Sequence, residues 1–274
     1  MPKPDPDKTL GSLVGLAVCE ALAGSSPGEV SEDAPLSPGL WSDGTAMALS
    51  LAESLLENKG MNQRDQMVRY TSWLRYGYLS STETCDFIDE TVKQAILRFE
   101  RTWNPLDENQ TQGDACLARV APVVVYFAAA RDDMLTAVTG ATITTHSAPQ
   151  SLDACRLLAA MMFEALRGAT KEDVLHPALP GNLCPEIAGL CAEPAGTAQS
   201  SAGRSLQAAL NALRESVTFA EGALQCLSQG PRALAAYGQL AGAWYGHMNI
   251  PEVWRSSLVR RNILEQKANQ LLNG

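Results

Sequence analysis

The run LWSDGTAMALSLAESLLE, residues 40–57, puts an acid where chemistry can be done. Ser42 and Asp43 stand at the opening of an amphipathic helix whose Met47, Leu51 and Leu55 recur on one face. An Asp at a helix start ordinarily caps it, yet this one lies between a Trp–Ser pair and Gly44. Glu20, in GLAVCEALAG, is a second acid in apolar surroundings, and the two are candidate carboxylates for general acid–base work. His146 sits in ITTHSAPQS, a polar turn between apolar helices, where loop residues can face a ligand. His176 and His247 are far from it in sequence and read as capped or half-buried side chains. Arg119, in the otherwise apolar GDACLARVAP, reads first as a snorkelling or ion-paired cation. GSSPG (Gly24–Gly28) matches the nucleophile-elbow string, but that chemistry needs a preceding strand and an N–H on the residue after the Ser. Pro27 has none, and the elbow is rejected.

The elements that must hold these residues are helical throughout. Leu10–Leu22 is a small-residue helix, followed by a Pro- and Gly-rich loop to Leu40 and then the helix after Asp43. Helical periodicity or composition continues over Gln63–Tyr78, Thr82–Trp103, Gly113–Ala130, Leu135–Thr144, Ala148–Gly168 and Lys171–Leu175. It resumes over Ser205–Glu215, Phe219–Ser228, Pro231–Tyr245 and Glu252–Asn273. Residues 1–9 read as a flexible lead-in, and residues 181–204, rich in Gly, Pro, Ser and Ala, as a loop or mobile segment. Gly238, Gly242 and Gly246 form a strip on one helix face, which in a polar-flanked helix implies close helix–helix approach. The expectation is an all-α protein with a single domain over residues 1–274.

Composition limits what such a domain does. Aromatics are 6% of the chain and Ala and Leu are abundant, which favours packed helices over a sandwich or barrel. The net charge is −9, and no basic stripe with interleaved aromatics appears, so nucleic acid is not the expected partner. The 7 cysteines are scattered without a C-x-x-C pair, as reduced core residues of a cytoplasmic protein would be. No apolar run is long enough to span a bilayer.

GLAVCEALAG (Gly15–Gly24), WSDGTAM (Trp41–Met47), GDACLARVAP (Gly113–Pro122), TTHSAP (Thr144–Pro149), GQLAGAWYG (Gly238–Gly246) and IPEVW (Ile250–Trp254) occur in this order. Together they resemble the ADP-ribosylglycohydrolase family of the dinitrogenase-reductase-activating type, over almost the whole chain. The resemblance implies an all-α orthogonal helix bundle with a cleft. In active members two Mg²⁺ ions sit there, between a W-T-D-D-T turn and a D-x-D-T helix start, and help water cleave a glycosidic bond to ADP-ribose.

This chain departs from that pattern at the metal positions. Gly44 stands where the second Asp of the turn belongs, and Ser42 where the Thr does. Counting back from the glycine strip, D-x-D-T falls on Gln229, Gly230, Pro231 and Arg232. Asp43 is then the one family carboxylate retained, no metal or cofactor is expected, and Arg232 is placed to neutralise Asp43 across the cleft. The family's Asn-Gly in the phosphate-contacting loop becomes Asp114–Ala115, and its Gly-Asp near the start becomes Cys19–Glu20, while Arg119 and His146 are kept.

The reading that follows is a pseudoenzyme that binds ADP-ribose, a related nucleotide or an ADP-ribosylated protein. Its expected ligand-binding residues are Ser42, Asp43, Gly113, Asp114, Ala115, Arg119, His146 and Arg232. Two alternatives stand beside it: a metal-independent hydrolase with Asp43 or Glu20 as base, and a structural or interaction protein with no small ligand.

Overall fold

The computed structural model describes residues 4–25, 30–179, 181–192 and 196–273. Its helices are α1 (Pro6–Ala23), α2 (Asp43–Asn58), α3 (Gln63–Tyr76), α4 (Glu90–Thr102), α5 (Ala121–Tyr126), α6 (Arg131–Thr142) and α7 (Pro149–Leu166). Then come α8 (Lys171–Leu175), α9 (Pro185–Ala188), α10 (Ser201–Glu215), α11 (Phe219–Leu227), α12 (Pro231–Tyr245), α13 (Glu252–Ser257) and α14 (Arg261–Asn273). Short 3₁₀ turns cover Ala115–Arg119, Gly189–Cys191 and His247–Asn249, and the described residues contain no strand. The all-α expectation holds.

The centre of the bundle is the pair α1–α12. Gly15 and Gly11 of α1 lie against Gly238 and Gly242 of α12, and a Cβ on any of the four would overlap backbone atoms of the other helix. With Gly11 opposite Gly242 and Gly15 opposite Gly238, the helices run antiparallel. The C-terminal end of α1 therefore sits beside the N-terminal end of α12, which carries Glu20 and Arg232 to the same place. The α7, α10 and α11 helices pack on α12, α14 packs on α1, and α2 is held by α3, α5 and the 3₁₀ turn at 115–119.

Several boundaries differ from those read in the sequence. α1 starts at Pro6, within the expected lead-in, because Asp5 accepts from Asp7 N (2.9 Å) and Pro6 suits a first turn. Residues 1–3 lie outside the described residues, as do Ser26–Gly28 of the GSSPG string. The expected helix over Thr82–Trp103 begins only at Glu90, capped by the Asp89 carboxylate. Ahead of it, the Asp86 carboxylate accepts from the Thr82 and Thr84 hydroxyls, local bonds that compete with helix. Gly113–Ala130 is not one helix, since Pro122 opens a new one after the 3₁₀ turn. Glu252–Asn273 is interrupted where Arg260 turns left-handed. Within 181–204 the described residues include α9, a 3₁₀ turn and the first turn of α10.

Candidate functional site

Glu20 ends up capping α2 from outside. Its carboxylate accepts from Ser42 N (3.1 Å), Gly44 N (3.1 Å) and Thr45 N (2.9 Å). These are free N–H groups of the α2 N-terminus, which attract an anion. Ser42, expected to cap through its own side chain, instead donates its hydroxyl to Asp43 Oδ1 at 3.3 Å. Glu20 is 4% exposed. Burial raises its carboxyl pKa, and the neighbouring Asp43 charge raises it further, against the opposing pull of Thr45 and Arg232.

Asp43 faces Arg232 from the first residue of α2. Arg232 Nη1 donates to Asp43 Oδ1 at 2.7 Å and Nη2 to Oδ2 at 2.6 Å, a bidentate pair with both side chains largely out of solvent. Burial disfavours the Arg232 charge, but the hydrogen bonds and charge of Asp43 more than offset this, and the guanidinium stays protonated. Asp89 N donates to Asp43 Oδ2 at 3.3 Å. The Phe87 ring centroid lies 5.8 Å from Arg232 Cζ, within cation–π range.

Above this pair opens a cavity of about 380 Å³, walled by Trp41, Trp73, Ser80 and Phe87, with Glu20, Asp43 and Arg232 also in its lining. Apolar walls with a few converging polar groups are what a small-molecule site offers. Of the lining residues, Trp41 and Ser80 carry a buried Nε1 and Oγ without a hydrogen-bond partner among the described residues.

The remaining expected residues form a second cluster that does not line this cavity. Gly113 N and Gly113 O both bond Ser151 Oγ, at 3.2 and 2.8 Å. Asp114 Oδ2 accepts from Ser205 Oγ at 2.7 Å, and Ala115 is buried beside Met47. Arg119 is 3% exposed, stacks on Tyr70 and donates to Thr145 Oγ1. Thr145 Oγ1 also lies 2.8 Å from His146 Nδ1, within hydrogen-bond distance. His146 Nε2 has no partner among the described residues and faces Gly113, where a Cβ would crowd it. Burial and then the Arg119 charge lower the His146 pKa to about 3, so the ring is neutral. The clusters touch where Gly44 of α2 meets Ala118.

Sequence reading thus located Glu20, Ser42, Asp43 and Arg232, which the fold brings to one wall. It missed Trp73, Ser80 and Phe87 as wall residues: Trp73 read as an ordinary helix residue, and the helix expected from Thr82 hid the loop that carries Phe87. The Thr82, Thr84, Asp86 and Asp89 side chains, which favour local turns and caps, were the available signal.

Comparison with known proteins gives a consistent picture. A family model described as ADP-ribosylglycohydrolase matches residues 1–274. ADP-ribosylarginine hydrolase Tri1 of Serratia proteamaculans (strain 568) is 30% identical, over 97% of this chain and 79% of its own. ADP-ribosyl-[dinitrogen reductase] glycohydrolase of Rhodospirillum rubrum is 26% identical, over 95% of this chain and 94% of its own. A solved structure titled ADP-ribosylglycohydrolase-related protein complex superposes with a TM-score of 0.80 at 34% identity, covering 98% of both chains.

Proposed function

Because the chain belongs to the ADP-ribosylglycohydrolase family, we propose that it is a catalytically impaired member that binds ADP-ribose, a related nucleotide or an ADP-ribosylated protein without a magnesium pair. The observation that carries this is the bidentate Asp43–Arg232 pair, at 2.7 and 2.6 Å. Magnesium takes six oxygen ligands in near-octahedral array and gives up its water reluctantly. Here both Asp43 oxygens are held by a guanidinium, and the Glu20 oxygens by three backbone N–H groups. Gly44, Gly230 and Pro231 offer no side-chain oxygen, and no three acidic, His or Cys side chains converge among the described residues. This donor set does not fit a pair of magnesium ions.

The same bonds weaken the metal-free hydrolase reading. Glu20 is buried and already accepts from three backbone N–H groups, and Asp43 is neutralised by Arg232, so both carboxylates are tied into structural bonds and ill placed to take a proton from water. A cavity with apolar walls and converging charged groups supports a ligand over a purely structural role. Residues 1–274 act in this reading as one domain. The cysteines are free thiols, which suits the reducing cytoplasm, and no described helix is long and apolar enough to cross a membrane. The reading is tested by assaying release of ADP-ribose from an ADP-ribosylarginine substrate, beside direct binding of ADP-ribose. Binding without release is expected, and magnesium-dependent release would overturn it.

A further inference from the structure

A carboxylate accepting two parallel N–H bonds, with an aromatic face beside the cation, is the set of groups proteins use to hold a guanidinium. The cleft contains that whole set: the Asp43 carboxylate, the Phe87 ring and the Asp89 N–H that steadies Asp43. What fills it is the protein's own Arg232. Phe87 is 58% exposed at the mouth, so the position opens to the cavity and is not sealed in the core. Trp41 (4% exposed) and Ser80 (6% exposed), also in the lining, carry an indole N–H and a hydroxyl that are buried and have no partner among the described residues. The cation position is taken, and the vacant hydrogen-bonding positions suit an uncharged acceptor.

We propose that Arg232 is a specificity-determining residue that occupies the guanidinium position of this cleft in cis. The cleft then rejects arginine-type cations and takes a ligand whose group at Trp41 and Ser80 is uncharged and carries a hydrogen-bond acceptor. The inference deepens the ADP-ribose reading at the same site: the linkage it selects would be an uncharged one, in contrast to the arginine linkage named for the Serratia relative. That choice of linkage rests on the ADP-ribose reading, whereas the occupied guanidinium position does not.

Two arms separate these parts. In the first, wild type and Arg232→Ala are heated with methylguanidine or with methylamine as a non-planar control. Arg232→Ala is expected to gain a saturable rise in Tm with methylguanidine alone, and wild type none. No saturable rise in the variant, or an equal one in wild type, would overturn the occupied position. If Arg232→Ala does not fold alone, its refolding yield with each probe is the readout, with the same two outcomes. The second arm measures binding of ADP-ribosylarginine against 1-O-methyl-ADP-ribose, a distinction to which a merely structural salt bridge would be indifferent. Wild type is expected to favour the O-methyl compound at least tenfold, Arg232→Ala to lose or reverse that preference, and Ser80→Ala to weaken the O-methyl compound with stability unchanged. Equal or tighter wild-type binding of the arginine compound would overturn the selectivity. Binding of neither compound, with the first arm positive, would sink the ADP-ribose reading and the linkage choice while leaving the occupied position standing.

Discussion

Asp43, Arg232 and Gly44 carry the argument at the scale of single residues. A buried ion pair contributes little over a well-packed apolar replacement, but removing one partner strands the other charge. Asp43→Ala is therefore expected to cost about 3–5 kcal/mol, read from urea denaturation, while Asp43→Leu with Arg232→Leu together should cost much less. A similar loss in both would mean that packing, not charge, holds this wall. Gly44→Asp, which restores the family's second carboxylate by sequence, has no room for its Cβ between Glu20 Oε1 and Ala118. It should destabilise the protein and gain no magnesium-dependent rise in Tm, and a clear rise would contradict the geometry.

His146 gives a pH dependence with a defined sign. Its folded pKa of about 3 lies below the ordinary histidine value of 6.5, so the unfolded chain takes up a proton that the folded one refuses. The stability from keeping it neutral is whole above the unfolded value, falls as pH drops below it, and is gone below the folded one. Within that window the loss is about 1.4 kcal/mol per pH unit. Urea titrations at stepped pH should show His146→Gln less acid-sensitive than wild type between pH 6.5 and 4. Parallel profiles would contradict the assignment.

At the scale of elements, the α1–α12 contact fixes the site. Gly238 overlaps α1 with any Cβ, so Gly238→Ala should push the helices apart and cost at least about 1–3 kcal/mol. Because the same contact registers Glu20 against Arg232, the variant should also weaken ligand binding out of proportion to its distance from the cavity. Unchanged stability in urea would refute this. The glycine strip was legible in the sequence because its spacing of four residues has one mechanical reading, and so was the place of Arg232, counted from that strip. The cap on α2 was not legible: Ser42 looked sufficient locally, and nothing local says that Glu20, on another helix, supplies the acceptor. Nor was the loop at 77–89, because the helical periodicity read from Thr82 onward masked the local side-chain bonds of Asp86 and Asp89 that decide where the helix starts.

At the scale of the whole molecule, the chain matches the family's scaffold from end to end, and the proposed function turns on the charges at one position in it. The overall bundle followed from composition and periodicity, and its family from motifs in order. Which of the expected ligand residues share a wall did not, since Gly113, Asp114, Arg119 and His146 bond to Ser151, Ser205, Thr145 and their own neighbours and do not line the cavity. On the proposed reading, in which a fixed internal cation stands in place of the metal, the site should bind ligand without magnesium. The most direct test is isothermal titration calorimetry of the intact protein with ADP-ribose, once in Mg²⁺ and once in EDTA. Saturable binding with the same Kd in both buffers is the predicted result. Binding that appears only with Mg²⁺, or none in either buffer, would contradict a metal-free ADP-ribose site built on Asp43 and Arg232.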